Sequence, residues 1–309
     1  MVTKNNLPKR VKIVEVGPRD GLQNESVNVS TKNKIVFIEL LAASGLKDIE
    51  TTSFVHPKVV PQLSDAEDVL KGLRQFENVT YSALVPNLKG LQRAIDSGIK
   101  KIAVFTACSE TFTKMNINMS VDESLKTFKE VTKVALENKI SVRGYVSTCF
   151  VCPYEGEIKK EKVLYVTKAL IDLGIYEVSI GDTIGAAVPT DVYETISYVI
   201  NQIPKEKIGL HFHDTYGTAL ANVMSGLELG ISTYDSSSGG LGGCPFAPGA
   251  SGNLATEDLV YMLNKMKIKT DVDINKLVQA SLYMQNIIGR TLPCKQLQRL
   301  GVVGQILNI

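Results

Sequence analysis

The chain has little excess charge of either sign. Its 309 residues carry 34 basic and 32 acidic side chains, a formal net charge of +2. No sequence-wide field is available to hold nucleic acid or an anionic membrane, so any bound anion must be held locally. No apolar run approaches the roughly 18–20 residues that a membrane-spanning helix needs, and residues 1–10 lack the apolar core of a signal peptide. Five cysteines, an odd number scattered along a long chain, give no disulfide framework. Reduced thiols and a cytoplasmic location are the expectation. With 44% apolar and 21% charged side chains, the composition fits folded protein of one large domain or two ordinary ones, neither disordered nor fibrous.

β-Branched runs that end in Gly, Pro, Asp or Thr lie at 11–17, 48–54, 80–86, 101–108, 141–149, 176–183, 208–215 and 233–240. Their mean spacing of about 32 residues is that of a strand plus a crossover helix. Helical periodicity fills the gaps at 32–43, 64–73, 88–97, 121–137, 160–173, 190–201 and 220–229, with one more helix at 256–266. In 121–137, for instance, Val121, Leu125, Phe128, Val131 and Val134 share a face, and Asp122, Glu123, Lys126, Lys129 and Lys133 take the other. Eight strand–helix alternations predict an α/β protein of the (β/α)₈ TIM-barrel class. An open doubly wound sheet is the alternative, but its Gly-x-Gly-x-x-Gly turn is missing; the first turn reads Gly17-Pro18-Arg19-Asp20-Gly21. No linker divides the chain, so 1–309 reads as one catalytic domain, with 267–309 as a C-terminal helical extension.

In such a barrel every strand's C-terminal tip points into one mouth, so chemistry belongs at late positions of several strands. Only three histidines exist, and two of them, His211 and His213, stand one residue apart in the seventh strand. Side chains at i and i+2 share a side, so both imidazoles face inward together and can bind one metal ion; two core histidines bonded to carbonyls is the structural alternative. Asp20, after the first strand, can add an oxygen ligand. Arg19 beside it offers a cationic fork, although a surface turn with a local ion pair would explain the two alone. Glu50 and Asp182 are further acids at strand ends, and interior carboxylates are costly without a purpose.

The segment from Gly239 to Asn253 holds six Gly and two Pro, and reads as a mobile active-site loop. A phosphate-cradling glycine loop is the competing reading. Cys244 on it has little bulk around its sulfur and can act as acid or nucleophile, and Asn253 is a neutral oxygen donor able to complete a metal site. Cys149-Phe150-Val151-Cys152 matches Cys-x-x-Cys but has no second pair and reads as incidental. His56 reads as a loop or rim residue. One acid, two imidazoles and an amide oxygen suit a divalent ion such as Mg²⁺ or Mn²⁺. Beside an Arg, such an ion can stabilise an enolate, which a thiol on a closing loop can protonate.

Val16 to Glu25, Thr52-Ser53-Phe54-Val55 with Pro57-Lys58, Gly181-Asp182-Thr183-Ile184-Gly185, His211-Phe212-His213-Asp214-Thr215, and Gly240 to Pro245 through Gly252-Asn253 together resemble the hydroxymethylglutaryl-CoA lyase family, over roughly residues 10–265. The resemblance implies metal-assisted retro-Claisen cleavage of 3-hydroxy-3-methylglutaryl-CoA to acetyl-CoA and acetoacetate, a step of leucine degradation and ketone-body formation, in a homodimer. It also implies that Asp20, His211, His213 and Asn253 hold the ion, that Arg19 stabilises the enolate, and that Cys244 protonates it. Asp20 and His211 are both candidates for the base. Gln23, Glu50, Asp182 and Thr183 join Arg19 around the substrate, and Glu257 caps the segment after Asn253.

Animal members carry an organelle-targeting leader and a Cys-Lys-Leu ending. This chain begins almost at its first strand and ends Gln305-Ile306-Leu307-Asn308-Ile309, so a cytoplasmic, bacterial-type enzyme is expected. Lys58, Lys114 and Arg143 are candidate contacts for the phosphates of CoA, with solvated surface charge the favoured reading for each. A Claisen-type acyl-CoA synthase or 2-oxo-acid aldolase on the same barrel is the sister reading; a non-haem iron oxygenase, with two His and a carboxylate, is a more distant one.

Overall fold

The computed structural model describes residues 7–243 and 252–299. Eight parallel strands, β1 (Lys12–Glu15), β2 (Asp48–Ser53), β3 (Thr80–Leu84), β4 (Lys101–Ala107), β5 (Ser141–Ser147), β6 (Glu177–Asp182), β7 (Ile208–Phe212) and β8 (Thr233–Ser236), follow one another around a closed barrel. The barrel closes where β1 pairs with β8 through the register Lys12↔Thr233 to Glu15↔Ser236. Helices α1 (Thr31–Ala43), α2 (Ala66–Gly72), α3 (Leu88–Asp96), α4 (Glu110–Ile117), α5 (Val121–Glu137), α6 (Lys160–Asp172), α7 (Pro189–Ile200), α8 (Ala219–Glu228) and α9 (Thr256–Lys265) follow the strands, and α10 (Ile274–Ile288) packs on α1. This is the (β/α)₈ TIM barrel that the alternation predicts. Among the described residues no helix is long and apolar enough to cross a membrane.

Local chemistry sets the helix boundaries. Ser120 accepts from the backbone N–H of Glu123 while Glu123 accepts from that of Ser120, a reciprocal cap that starts α5. Val121, Phe128, Val131 and Ala135 then face the strands and are buried. Gly289, in the left-handed region at φ 70°, ends α10. The apolar core lies between strands and helices, whereas the barrel's interior is largely polar and charged: Glu50, Arg143, Ser179, Asp182 and Asp235 are all buried.

The structure departs in places from the strand and helix limits read in the sequence. The first and last strands end early, because Gly17–Gly21 winds into a π-helical turn and Ser238–Gly240 into a 3₁₀ turn. Helix α4 has no counterpart in the periodic reading. Its sequence, Glu110 to Ile117, lacks an apolar stripe, and its start is set by Ser109, which accepts from the backbone N–H of Phe112. The Cys-x-x-Cys segment forms a small hairpin of Val151–Cys152 with Gly156–Glu157. Cys149 lies 3.8 Å from Cys108, sulfur to sulfur, and both are buried free thiols.

Candidate active site

The turn after β1 is wound on one acceptor. The Val16 carbonyl takes hydrogen bonds from the backbone N–H groups of Arg19 (3.1 Å), Asp20 (2.7 Å) and Gly21 (3.2 Å). So tight a turn needs glycine at its ends, since a Cβ on Gly17 would lie 2.6 Å from Glu15 Oε1 and one on Gly21 would lie 2.7 Å from the Cβ of Leu241. Glu15, wholly buried, braces the turn. Its Oε1 accepts from the N–H of Gly17 and of Ser238, both at 2.8 Å, and its Oε2 from the Thr256 hydroxyl at 2.6 Å. One carboxyl thereby joins the tip of β1, the turn after β8 and the start of α9.

Asp20 meets His211 and His213 across the mouth, one ligand atom of each lying within 4.8 Å of the others. His211 sits in β7; His213 lies just past the strand's end, where a bridge to Asn253 carries the strand's alternation on, so the two rings stay on one side, 5.2 Å apart. Asn253 Nδ2 donates to Asp20 Oδ2 at 2.8 Å and to the Leu241 carbonyl at 3.1 Å. Burial would raise Asp20, but the Arg19 guanidinium, helped by the two imidazoles, outweighs it and brings the carboxyl down to about 2. Burial and the neighbouring His211 lower His213 to about 3, which favours a neutral nitrogen donor. Three buried polar atoms here, Asn253 Oδ1, His211 Nδ1 and His213 Nδ1, have no hydrogen-bond partner among the described residues. Unsatisfied donors-of-lone-pairs of this kind, beside a carboxylate, are what a divalent cation would satisfy, so the residues fit one.

Arg19 is buried and bridges two acids. Its Nε donates to Glu50 Oε2 at 2.6 Å and its Nη1 to Asp20 Oδ1 at 2.5 Å. Glu50 Oε1 and Gln23 Oε1 are buried acceptors with no partner among the described residues. Asp182, in contrast, is not free: Oδ1 and Oδ2 accept from the N–H groups of Ala186 and Ala187 at 3.1 and 3.0 Å, so it shapes the turn after β6. Burial lifts it to about 6 against those bonds. Thr183 Oγ1 accepts from the N–H of Thr148 at 2.7 Å.

The ends of the glycine-rich loop are fixed beside this cluster. Gly239, Gly240 and Gly242 all have positive φ, and a Cβ on Gly252 would stand 1.9 Å from the Gly242 carbonyl oxygen, so the outgoing and returning chains touch. The Asp214 N–H donates to the Gly252 carbonyl at 2.7 Å. Cys244 lies outside the described residues.

Several sequence expectations need correcting. Glu257 does not cap the segment after Asn253; it accepts from the Gly239 N–H at 2.8 Å and from the Ser281 hydroxyl, and so holds the turn before the loop. Arg143 is neither a solvated charge nor a phosphate contact, being only 2% exposed inside the barrel, where Nε donates to Glu177 and Nη2 to Asp235, both at 2.8 Å. Lys58, Lys114 and His56 are exposed. Asp235 and Glu177 went unnoticed in the sequence, although charged residues within otherwise β-branched strands were a usable signal.

Comparison with known proteins places this site in a context. The HMGL-like family model matches residues 10–283. The mitochondrial hydroxymethylglutaryl-CoA lyase of Homo sapiens is 52% identical over 292 residues, which is 94% of this chain and 90% of that protein. The crystal structure of the Bacillus subtilis HMG-CoA lyase superposes with a TM-score of 0.94 at 50% identity, covering 96% of this chain and 99% of that one. An HMG-CoA lyase from Acinetobacter baumannii, solved with coenzyme A and 3-methylmalate, does so with a TM-score of 0.88 at 39% identity, covering 93% and 94%. A family match that spans the barrel from its first strand to the C-terminal helix, and identity of this level over nine-tenths of the chain, have one reading: the chain belongs to the HMGL-like family.

Proposed function

We infer that this protein is a carbon–carbon lyase that cleaves 3-hydroxy-3-methylglutaryl-CoA to acetyl-CoA and acetoacetate. The observation that carries this reading is the meeting of Asp20, His211 and His213 beside the Arg19 guanidinium at the mouth of a barrel half-identical to hydroxymethylglutaryl-CoA lyases. Asp20, His211, His213 and Asn253 would hold a divalent cation. Oxygen and nitrogen donors without a thiolate suit Mg²⁺ or Mn²⁺, and the cation would supply Lewis-acid polarisation of substrate oxygens.

The chain's own groups then divide the reaction. Either Asp20 or His211 would take the proton of the substrate's tertiary hydroxyl. As that O–H pair becomes a carbonyl, the neighbouring carbon–carbon bond breaks and its electrons pass to the thioester enolate, whose negative oxygen Arg19 would neutralise. The Cys244 thiol delivers the proton to carbon, and its glycine-rich loop keeps water out. Arg19 is held for this by Glu50 and Asp20. Gln23 and Glu50 present open acceptors to substrate; Asp182 and Thr183 shape the adjoining wall.

The acyl-CoA substrate class is supported by the coenzyme A found in the Acinetobacter relative. A homodimer in the cytoplasm completes the proposal; sedimentation at micromolar concentration and cell fractionation test those parts. For the reaction, purified protein is assayed with hydroxymethylglutaryl-CoA and Mg²⁺ or Mn²⁺, alongside pyruvate plus acetyl-CoA. Acetoacetate formed at full rate without oxygen, and abolished by a chelator, is expected. Product only from the pyruvate mixture, or only in the presence of oxygen, overturns the reading.

A further inference from the structure

The two histidines of the site are held differently. Among the described residues neither ring's Nδ1 makes a hydrogen bond, but His211 Nδ1 has a carboxylate facing it, 3.5 Å away at Asp235 Oδ2, and no such pair is found for His213. Asp235 is the residue of β8 directly in register with His211 of β7, and it is 1% exposed. The barrel fastens it from two more strands: Arg143 Nη2, from β5, donates to Oδ1 at 2.8 Å, and the Ser179 hydroxyl, from β6, donates to Oδ2 at 2.6 Å. Arg143 is itself fixed by Glu177 at 2.8 Å and stacked 4.9 Å over the Tyr145 ring; Glu177 accepts in turn from Lys12 Nζ at 2.6 Å.

Room for this assembly is cut into β7 itself. Gly209 stands two residues before His211 and shares its face, and a Cβ there would come within 2.8 Å of Arg143 Nη2. Burying so many charges under a site is costly unless their orientation serves something. The carboxylate at the end of the chain, aimed at one ring nitrogen, has a use of that kind.

We propose that Asp235 is a positioning residue for the cation site: it accepts the Nδ1–H of His211, fixes that tautomer and ring plane, and leaves Nε2 as the lone-pair donor, while Arg143 and Ser179 keep Asp235 aimed. A carboxylate behind a metal-binding imidazole orients the ring and strengthens it as a donor. Among the described residues His213 has no such brace, so the two imidazoles contribute unequally. Asp235 touches neither substrate nor reacting atoms.

This inference rests on the metal reading above, and two measurements separate the two. First, ¹⁵N NMR of histidine-labelled, metal-free protein reports which nitrogen of neutral His211 carries the proton, with no variant that must fold. A proton on Nδ1 is expected. Second, Mn²⁺ titration followed by electron paramagnetic resonance compares the wild type with Asp235→Asn and Glu177→Gln. Asp235→Asn is expected to weaken Mn²⁺ binding roughly 10- to 100-fold and to move the His211 proton to Nε2, because the amide can donate to Nδ1. Glu177→Gln, which disturbs the same network without touching His211, leaves the tautomer unchanged and the affinity within about threefold. Should Asp235→Asn not fold, Ser179→Ala replaces it, with a smaller loss of affinity in the same direction. A wild-type His211 protonated on Nε2, or equal Mn²⁺ affinity in wild type and Asp235→Asn, overturns the positioning role alone. Failure of the wild type to bind Mn²⁺ overturns the metal reading and this role with it.

Discussion

Asn253 Nδ2 donates to Asp20 Oδ2 at 2.8 Å, tying the residue that closes the glycine-rich loop to the one that follows β1. The second N–H of the same amide goes to the Leu241 carbonyl, so the orientation of the amide is fixed and Oδ1 is the atom left over. Loop and cation site are thus parts of one construction, 233 residues apart in the chain.

Replacing Asn253 by Asp would set a second carboxylate against Asp20 where a donor now stands. Without metal the two repel, and with metal the repulsion is offset. The metal-free variant is expected to melt several degrees below wild type, with most of the gap recovered in excess Mg²⁺. Differential scanning calorimetry with and without Mg²⁺ checks this; a gap that ignores the ion contradicts the assignment.

Arg19 bridges Glu50 and Asp20 with two different nitrogens, a geometry that a single ammonium cannot reproduce. Arg19→Lys should therefore lower kcat by about 10²–10³, with a smaller change in KM. Steady-state kinetics at saturating metal decides, and a loss confined to KM would make Arg19 a binding residue only.

Cys244→Ala should lower turnover by orders of magnitude while leaving Mn²⁺ affinity nearly intact, as expected for an acid used late in the reaction. Parallel loss of Mn²⁺ binding would make the sulfur a ligand instead.

Gly252 and Gly243 offer a paired test of the loop's base. A Cβ on Gly252 meets the Gly242 backbone at 1.9 Å, whereas one on Gly243 meets nothing within 4 Å among the described residues. Gly252→Ala should cost on the order of 1–3 kcal/mol and displace Asn253, weakening Mn²⁺ binding; Gly243→Ala should leave melting unchanged. Thermal melts and Mn²⁺ titrations of both variants provide the comparison.

Burial raises Glu15 from its ordinary 4.5 to about 7, with its three hydrogen bonds opposing and the nearby Glu257, itself pushed up to about 7 by burial, adding to the rise. Between pH 4.5 and 7 the folded chain holds a proton that the unfolded chain has released, so the stability this group confers is full below 4.5 and is lost as the pH rises through 7. Glu15→Gln keeps the shape and removes that loss. The variant should melt level with or slightly below wild type at pH 4.5, and above it at pH 8 by on the order of 3 kcal/mol. Melting curves across that range test the sign, and a variant less stable than wild type at pH 8 reverses it.

Much of the site was legible in the sequence because barrel geometry turns a linear fact into a spatial one. A residue late in any strand faces the same mouth, so Arg19, Asp20, His211 and His213 could be grouped without knowing a single distance. The pairing of histidines at i and i+2 needed only the alternation of a strand. Helix α4 escaped because it has no apolar stripe to give it a period. Asp182 was legible as an interior acid, but not as one already occupied by the N–H groups of Ala186 and Ala187.

By itself the sequence determined the barrel, the order of its parts and the residues gathered at its rim, since those follow from strand spacing, amphipathic periodicity and the direction in which parallel strands point. Tertiary structure alone decided who holds whom: Arg143 on Asp235, Asp235 toward His211, Glu15 on Ser238 and Asn253 on Asp20. Those partners come from different strands of a closed sheet and from the turns and loop that leave them, and the register in which the sheet closes, not the spacing along the chain, sets which side chains meet.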